Sequence, residues 1–372
     1  MQNNPLTATT LDQHVMQCSP PRARGKFSRA MLELQYCAHM LSSLIQSGGL
    51  SGEIIGTTSN INVHAEQVTK LDELANKVLM GRLQASGLFA ALASEDLDEV
   101  LLGNPEASYV IAVDPLDGSS NIEANVSIGT IFSIKRKLTE DGGAEDFFQP
   151  AREQVAAGYI IYSSRTELVY TTGQNGVYLF VLDPLTGQFV LDRQIQPKAD
   201  AKYYSMNEAY WDQFDEGVQR WVRWLRNEKT PVTGQSRSAR YIGSLVPDIH
   251  RNLLEGGVFA YPHQKGNREG NLHLINEAQP MALLQVSVGG KATTGWEDVV
   301  EMVRKQLHQR VPLVIGTAPR WRSTSSSSPR RNNASAFSAI SSSSVGGKWY
   351  GQRSSYRRVA RSGRRRSVSG PS

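Results

Sequence analysis

The residues with the clearest chemical potential lie at positions 109–123, where the sequence reads YVIAVDPLDGSSNIE. An apolar run ends at Asp114, and a second carboxylate, Asp117, follows three residues later. Hard oxygen ligands at this spacing can share or bridge divalent cations such as Mg²⁺, and the backbone carbonyl of Leu116 can add a further ligand. The two aspartates therefore predict a metal site.

The next residues add a second kind of binding group. Gly118 lets the backbone approach a ligand closely, and the N–H groups and hydroxyls of Ser119 and Ser120 can donate hydrogen bonds to a phosphate. The alternative is an ordinary surface turn, because Asp-Pro and Asp-Gly are common turn formers. Residues 183–187 of the same chain repeat the Asp-Pro-Leu pattern in what reads as a hairpin turn.

Further carboxylates occur at the boundaries of predicted strands and helices. Glu95 and Asp96 end the run ASED, and Asp72 begins a helical segment with Glu66 before it. Glu277 lies in NEAQPMA. Taken singly, each is typical of a solvated surface acid, and the five gain a joint meaning only from a resemblance to known proteins.

The composition is that of a globular protein in a reducing compartment. The chain has 372 residues, 40% of them hydrophobic, and no apolar run long enough to predict a membrane span. The start of the chain lacks the apolar core of a signal peptide and reads as a polar leader. The two cysteines, Cys18 and Cys37, do not indicate a disulfide framework. We expect a cytoplasmic protein, with a plastid location as the alternative left open.

Charge is distributed very unevenly along the chain. Residues 318–372 contain 11 arginines, one lysine and no acid, a charge of +12, so the remainder carries −7 within the total of +5. Seventeen of these 55 residues are serine. Such a segment cannot bury enough apolar surface to offset its ordering entropy, so the composition predicts a disordered tail.

The rest of the chain mixes strand-like and helix-like segments, which indicates an α/β (α+β layered) fold. Helical apolar spacing covers 27–47 and 66–86, strand-like runs follow between 88 and 172, and 176–192 reads as a hairpin. The predicted organisation has four parts: a flexible leader at 1–25, an N-terminal α/β domain with the metal site at 26–198, a C-terminal substrate-binding α/β domain at 199–316, and the Ser/Arg-rich tail at 317–372.

The string YVIAVDPLDGSSNIEANVSIGTIFSIKRK resembles the signature region of class I fructose-1,6-bisphosphatase. Further blocks resemble the same family in the same order, from about residue 27 to residue 316: KLDELAN, ASED, YSMNEAYW, RYIGSLVPDIHRNLLEGG, NEAQPMA and LHQRVPLVIG. The resemblance implies the fold of the lithium-sensitive, metal-dependent sugar phosphatases, with stacked α-β-α-β-α layers. It also implies hydrolysis of the 1-phosphate of fructose 1,6-bisphosphate to fructose 6-phosphate by a Mg-activated water, in gluconeogenesis or the Calvin cycle.

The resemblance assigns roles to individual positions. Glu95, Asp114, Asp117 and Glu277, with the Leu116 carbonyl, match the family's metal ligands. This set implies two or more Mg²⁺ ions per subunit, with Mn²⁺ or Zn²⁺ as alternatives.

Three acids match the family's catalytic residues, two of which act on the attacking water. Asp72 and Asp96 match the pair that orients and deprotonates it, although Asp96 stands where the family often has glutamate. Glu66 matches a nearby acid on a mobile catalytic loop.

The substrate contacts implied by the resemblance surround both phosphates, and Arg240 matches an arginine that reaches a neighbouring subunit's site. A homo-oligomer follows, a tetramer by resemblance. The predicted contacts are Asp117, Gly118, Ser119, Ser120, Asn207, Tyr210, Arg240, Tyr241, Tyr261 and Asn271.

The chain departs from the family pattern around the substrate. The lysine of the family's G-K-L-R falls at Asn271, and the arginine two residues further on is His273. Loss of two cationic phosphate contacts predicts weaker binding or altered specificity. The alternative is that Lys265 or Arg268 takes over their role.

Two further departures concern regulation and the end of the chain. GKFSRA replaces the family's T-G-E helix start, and Ser108 replaces a lysine before Tyr109, so AMP inhibition is not expected. Similarity stops near residue 316. The tail beyond it indicates either a reading-frame change, which we favour, or a basic nucleic-acid-binding segment.

Three functions compete on this evidence. The leading prediction is a Mg-dependent fructose-1,6-bisphosphatase. Sedoheptulose-1,7-bisphosphatase is the nearest alternative, because related families share the metal site and differ around the sugar. The third is a weakened enzyme with a basic nucleic-acid-binding tail. We expect no membrane partner.

Overall fold

The computed structural model describes residues 8–18, 25–51, 56–61, 67–227, 229–230, 233–303 and 305–318. Glu66 and the predicted tail beyond residue 318 lie outside the described residues. Within the described part, no helix has the length and apolar composition needed to cross a bilayer.

The described residues form six α-helices, with five short 3-10 segments and one π-helix. The α-helices are α1 (Leu11–Cys18), α2 (Lys26–Ser51), α3 (Lys70–Ala85), α4 (Glu216–Asn227), α5 (Leu245–Glu255) and α6 (Gln279–Ser287). The 3-10 segments are Ser119–Asn121, Ala144–Phe147, Ala151–Glu153, Glu208–Gln213 and Val299–Glu301, and the π-helix is Leu274–Ala278.

Seventeen strands are present in the same ranges. They are β1 (Thr57–Ile61), β2 (Gln67–Thr69), β3 (Phe89–Ser94), β4 (Leu101–Leu102), β5 (Tyr109–Asp117), β6 (Ile128–Arg136), β7 (Ala156–Tyr162), β8 (Thr166–Thr171), β9 (Val177–Asp183), β10 (Gln188–Ile195), β11 (Tyr203–Ser205), β12 (Ser238–Ala239), β13 (Gly257–Tyr261), β14 (Leu272–His273), β15 (Lys291–Thr293), β16 (Arg310–Val311) and β17 (Leu313–Gly316).

The strands assemble into two large sheets. The first has eight strands in the order β10-β9-β8-β7-β6-β5-β3-β4, and it is antiparallel except where β3 runs parallel to β5. The second has five strands in the order β12-β11-β13-β17-β15. The pairs β1-β2 and β14-β16 form two small ribbons. The chain therefore builds the first sheet from residues 89–195 and the second from residues 203–316.

Helices fill the spaces around both sheets, because each sheet presents apolar side chains on its two faces. Helices α1 to α3 cover one face of the first sheet through a core that includes Leu79 and Phe132. Helices α5 and α6 lie between the sheets, where Met281 shares a cluster with Tyr159 and Ile315. Helix α4 covers the far face of the second sheet. The predicted α-β-α-β-α layering is confirmed.

Part of the predicted flexible leader is packed structure. Helix α1 buries Leu11 and Val15 completely, one turn apart on the same face. Just before it, the carbonyl of Thr9 accepts a hydrogen bond from Leu191 N at 2.8 Å, which attaches this segment to the edge strand β10. The prediction is wrong for these residues because a two-turn helix with so few apolar residues gives little periodic signal.

The helix predicted over 66–86 begins later than expected. Thr69 closes a capping box with Asp72: Asp72 N donates to Thr69 Oγ1 at 3.1 Å, and Thr69 N donates to Asp72 Oδ2 at 2.9 Å. A Thr-x-x-acid pattern of this kind marks the N-terminus of a helix, so α3 starts at Lys70. The cap fixes the position of Asp72 in the first turn of α3.

The N-terminus of α5 lies unusually close to β6. A Cβ built on Gly129 would lie 2.6 Å from Val246 Cγ1 and 2.7 Å from Val246 Cβ. Only a residue without a side chain lets the first turn of α5 reach the sheet at this point. The approach is needed because the same turn contacts Asp117 of β5.

We expect Gly129→Ala to lower the free energy of unfolding by about 1–3 kcal/mol, because the added methyl group forces the first turn of α5 away from the sheet. Urea denaturation at fixed metal concentration measures the change. Gly81→Ala in α3 is the matched control: no heavy atom lies within 4 Å of its Cβ position, and we expect a gain of about 0.5–1 kcal/mol. Equal unfolding midpoints for Gly129→Ala and wild type would contradict the close approach.

Candidate active site

A bulge in β5 brings Asp114 and Asp117 to the same side of the sheet. Between these two residues β5 advances by three positions while its partner β6 advances by two. Residues three apart in a regular strand face opposite sides, and the extra residue of a bulge restores a common side. Pro115 lies in the bulge, and its carbonyl accepts a hydrogen bond from Thr130 Oγ1 at 2.8 Å.

One backbone carbonyl connects three segments that carry acidic residues. Val113 O, in β5, accepts hydrogen bonds from Glu95 N at 3.1 Å and from Asn276 Nδ2 at 2.7 Å. Glu95 follows β3, and Asn276 lies in the π-helix next to Glu277. Both lone pairs of the carbonyl are thus used, and the arrangement places Glu95 and Glu277 beside the aspartates of β5.

The predicted metal ligands converge as a result. One carboxylate oxygen each of Asp114, Asp117 and Glu277 lie within 4.8 Å of one another. Glu277 also belongs to a second group of the same dimension, with Glu95 and His273. Leu116 is buried in the bulge, and its N–H donates to Asp114 Oδ1 at 3.1 Å. A metal contact through its carbonyl stays a prediction.

These carboxylates are buried together at high electrostatic cost. Burial raises the pKa of Asp114 well above its usual value, and the charges of Glu95, Asp117 and Glu277 raise it further. Burial and the charge of Glu95 likewise raise the pKa of Glu277. Buried acids that repel one another are suited to hard divalent cations, which neutralise the charge and accept oxygen ligands. The donor set therefore fits a metal centre.

Asp117 is held by the N-terminus of α5. Its carboxylate accepts hydrogen bonds from Ser244 Oγ at 2.7 Å, Leu245 N at 3.1 Å and Val246 N at 2.7 Å. Burial raises the pKa of Asp117 to about 6, and these three bonds keep it from rising further. Helix N-termini favour negative charge, so α5 keeps one carboxylate of the group closer to its ionised form.

The predicted phosphate-binding loop follows directly. Gly118 has the left-handed conformation with φ of 82°, and a Cβ there would lie 2.2 Å from Ser244 Oγ. It precedes the 3-10 segment in which Ser119 is half-buried and Ser120 is exposed. This position therefore requires glycine, and it leaves the two serines at the open side of the acidic group.

The predicted catalytic acids lie around this centre to the extent that the structure describes them. Burial raises the pKa of Asp72, a hydrogen bond from the Ser119 side chain lowers it, and the charge of Glu95 raises it. Asp72 therefore lies between the phosphate loop and the metal group. The charge of Asp96 contributes to the raised pKa of Asp114. Glu66 lies outside the described residues.

The predicted contacts for the second phosphate lie in the C-terminal half. Tyr241 is 39% exposed. Burial of the rest of its side chain, together with the nearby charges of Tyr261, Asp248 and Tyr210, raises its pKa to about 12. The three tyrosines therefore lie near one another. Asn207 caps the 3-10 segment that carries Tyr210, accepting from Ala209 N at 3.0 Å.

Arg240 and Asn271 stand at the margins of this region. Arg240 is exposed and its Nη1 donates to the carbonyl of Ala239 at 2.8 Å. The side chain of Asn271 accepts a hydrogen bond from Asn267 Nδ2 at 2.8 Å. Their roles toward a neighbouring subunit and toward substrate stay predictions.

Three residues of the centre were not predicted from the sequence as parts of it. Ser244 and Asn276 act through hydrogen bonds, and only Ser244 carries a signal, as a serine directly before a helix. His273 was interpreted as a missing cationic contact. The structure places its ring, only 2% exposed, with Nδ1 3.3 Å from Glu95 Oε1.

We expect Asp114→Asn to stabilise the metal-free protein at pH 8, raising the melting temperature by roughly 2–6 °C, because one member of the repelling group is removed. A carboxyl group whose pKa is raised in the folded state contributes stability that is fully present below its pKa in the unfolded chain. This stability is lost as pH rises through the pKa of the folded state, which is about 6 for Asp117. The difference between variant and wild type should therefore shrink toward pH 5. Thermal melts in a chelator at both pH values measure it, and a wild type at least as stable as the variant at pH 8 would contradict the repulsion.

Comparisons with known proteins place most of the chain in one family. Residues 7–194 match the family model "Fructose-1-6-bisphosphatase, N-terminal domain", and residues 197–326 match "Fructose-1-6-bisphosphatase, C-terminal domain". A protein of Sorangium cellulosum named fructose-1,6-bisphosphatase class 1 is 43% identical over 315 residues, covering 83% of this chain and 90% of that protein. One of Sulfurihydrogenibium sp. with the same name is 45% identical over 300 residues, covering 80% and 90%.

A solved structure is similar over the same extent. The crystal structure of Leishmania major fructose-1,6-bisphosphatase in holo form superimposes with a TM-score of 0.77 at 34% identity. The match covers 84% of this chain and 96% of that one.

Proposed function

Because the chain belongs to the class 1 fructose-1,6-bisphosphatase family, it is a metal-dependent hydrolase of fructose 1,6-bisphosphate, and we propose that the acidic group around β5 is where it cleaves the 1-phosphate. The observation that supports this site most is the convergence of Asp114, Asp117 and Glu277, whose carboxylate oxygens lie within 4.8 Å of one another while all three side chains are buried. Sedoheptulose-1,7-bisphosphatase activity is not favoured by these relatives.

Mg²⁺ is the cofactor we propose for this group. Asp114, Asp117 and Glu277 offer oxygen atoms alone, and Mg²⁺ is bound by oxygen ligands. When bound, divalent cations neutralise phosphate charge and lower the pKa of water. The protein's own contribution is to keep the carboxylates close together despite their repulsion, through the Val113 carbonyl and the N-terminus of α5.

Asp72 is the residue to which we assign removal of the proton from the attacking water. The hydrogen bonds from Thr69 N and Thr69 Oγ1 both go to Asp72 Oδ2, so we assign the proton to Oδ1. Burial raises the pKa of Asp72, which makes it a stronger base than an exposed aspartate. Asp96 is its proposed partner, and Glu66 keeps the role that the resemblance implies.

The two phosphates are held by hydrogen-bond donors in this proposal. Ser120 donates to the phosphate that is cleaved from its hydroxyl and backbone N–H, and Ser119 donates from its backbone N–H, because its hydroxyl donates to Asp72. Tyr210, Tyr241 and Tyr261, with Asn207, surround the other phosphate. With a pKa of about 12, the Tyr241 hydroxyl stays protonated at neutral pH and can donate a hydrogen bond to a phosphate oxygen.

The remaining proposals concern the setting of the reaction. We propose a cytoplasmic homotetramer in which Arg240 contributes to the site of a neighbouring subunit. Its exposed position beside Tyr241 is compatible with such a role. The pathway would be gluconeogenesis or carbon fixation, both of which consume the bisphosphate.

Asp114→Asn should lower kcat for fructose 1,6-bisphosphate at least 10³-fold in saturating Mg²⁺, because an amide neither carries the charge nor binds a hard cation as strongly. Phosphate release measures the rate. Asp183→Asn is the matched control, since Asp183 begins the same Asp-Pro-Leu tripeptide in the β9–β10 turn, where its carboxylate accepts from Leu185 N at 3.0 Å. We expect the control to keep wild-type kcat.

The same assay with a chelator, and with sedoheptulose 1,7-bisphosphate, completes the test. We expect turnover to disappear in the chelator and to be lower with the seven-carbon sugar. A folded Asp114→Asn variant with a kcat near that of wild type would show that the catalytic site lies elsewhere.

Asn271→Lys should lower KM for fructose 1,6-bisphosphate by about three- to tenfold with little change in kcat, because it adds a charge-assisted phosphate contact. Steady-state kinetics at fixed ionic strength measures both constants. Asn267→Lys is the control for a general gain of positive charge. Asn267 lies four residues before Asn271 and donates a hydrogen bond to its side chain, so both variants lose this bond and gain one charge. An equal fall in KM for both variants would indicate non-specific attraction of the substrate.

A further inference from the structure

We infer that the catalytic centre has two unlike metal positions, and that His273 makes one of them select a transition metal ion such as Mn²⁺ or Zn²⁺ over Mg²⁺. The inference rests on the proposed function and goes beyond it in naming a nitrogen ligand. It starts from the two donor groups that share Glu277: one is made of carboxylates alone, and the other joins two carboxylates to an imidazole.

The distances within the second group suit a shared ion. His273 Nδ1 lies 3.3 Å from Glu95 Oε1 and 3.7 Å from Glu277 Oε2. Donor atoms about 2.1 Å from a tetrahedral metal lie about 3.4 Å from one another. Both observed distances are close to that separation, so the three side chains need little movement to bind one ion.

The imidazole is held in place by the fold. His273 is only 2% exposed and ends β14, where it pairs with Arg310 of β16. The next residue, Leu274, donates its N–H to the carbonyl of Gln309 at 2.8 Å. His273 N itself donates to Glu277 Oε2 at 2.5 Å. A ligand fixed in this way loses little conformational entropy when an ion binds.

The chemistry of the donors distinguishes the two positions. Imidazole suits Zn²⁺ and other first-row transition metals, whereas carboxylate and carbonyl oxygens suit both Mg²⁺ and Mn²⁺. Oxygen-only ligation at Asp114 and Asp117 therefore gives that position no nitrogen donor that would select a transition metal over Mg²⁺. Nitrogen ligation from His273 favours a transition metal at the other position, with Glu277 between the two.

A competing interpretation makes His273 a hydrogen-bond donor that only orients Glu95. Arg310 Nε donates to His273 Nε2 at 3.4 Å, which puts the ring proton on Nδ1 when no cation is present. A cation at Nδ1 needs that proton on Nε2 instead, so the contact with Arg310 must open. This contact is longer than a normal hydrogen bond, and its loss costs little. The two interpretations differ in whether nitrogen touches the ion.

The deciding experiment is electron spin-echo spectroscopy of the full-length protein, stripped of metal and then loaded with Mn²⁺ in the absence of substrate. We expect modulation from a directly bound ¹⁴N nucleus in wild type, its replacement by a ¹⁵N signal after labelling with ¹⁵N-histidine, and its loss in His273→Asn. His308→Asn is the matched control, because the His308 ring lies 5.8 Å from that of His273 and outside the donor group. It should keep the signal.

Equilibrium dialysis gives the selectivity. We expect His273→Asn to reduce the ratio of Mn²⁺ to Mg²⁺ affinity at least tenfold, and His308→Asn to leave it within about twofold. A wild-type spectrum without ¹⁴N coupling would overturn the inference, and this result needs no variant, so it holds even if His273→Asn fails to fold. An unchanged ratio of Mn²⁺ to Mg²⁺ affinity in a folded His273→Asn variant would overturn it as well. Phosphate release in Mg²⁺ alone tests the proposed function separately: turnover without ¹⁴N coupling rejects only the role of His273.

Discussion

The centre depends on carboxylates buried within reach of one another although their charges repel. Burial raises the pKa of Asp114, Asp117 and Glu277, so each has a tendency to stay protonated or to move apart. The surrounding structure opposes that tendency with directed hydrogen bonds from backbone and side-chain groups. The repulsion between these carboxylates lowers the local stability of the fold, and it also makes the pocket favour a positively charged ligand.

The same tripeptide has two outcomes in this chain, and the difference lies in the surroundings. Asp183-Pro184-Leu185 forms an exposed turn between β9 and β10, where the Asp183 carboxylate accepts hydrogen bonds from Leu185 N and Thr186 Oγ1. Asp114-Pro115-Leu116 lies in the bulged strand β5, an interior strand of the first sheet, and is buried. Local sequence alone allows both, because the groups that contact the bulged strand include Val246 of α5 and Asn276 of the π-helix, which lie far along the chain.

Much of the fold could be predicted from the sequence, since long periodic segments such as α2, β6 and β7 carry strong patterns. The layered architecture and the metal ligands followed from the resemblance, and the structure brings those ligands together. Helix α1 was missed because its two buried apolar residues give too weak a pattern. The strand was expected to end at Asp114, whereas β5 continues through the bulge to Asp117. The role of Asn276 could not be predicted, because its partner is a backbone carbonyl 163 residues earlier.

The carbonyl of Val113 has a consequence for the biosynthesis of the protein. One of its two hydrogen-bond donors, Asn276, belongs to the C-terminal half of the chain. While the nascent polypeptide leaves the ribosome, the strands of the first sheet, residues 89–195, emerge before that amide and before Glu277. The acidic group is therefore completed late, after translation has passed the π-helix.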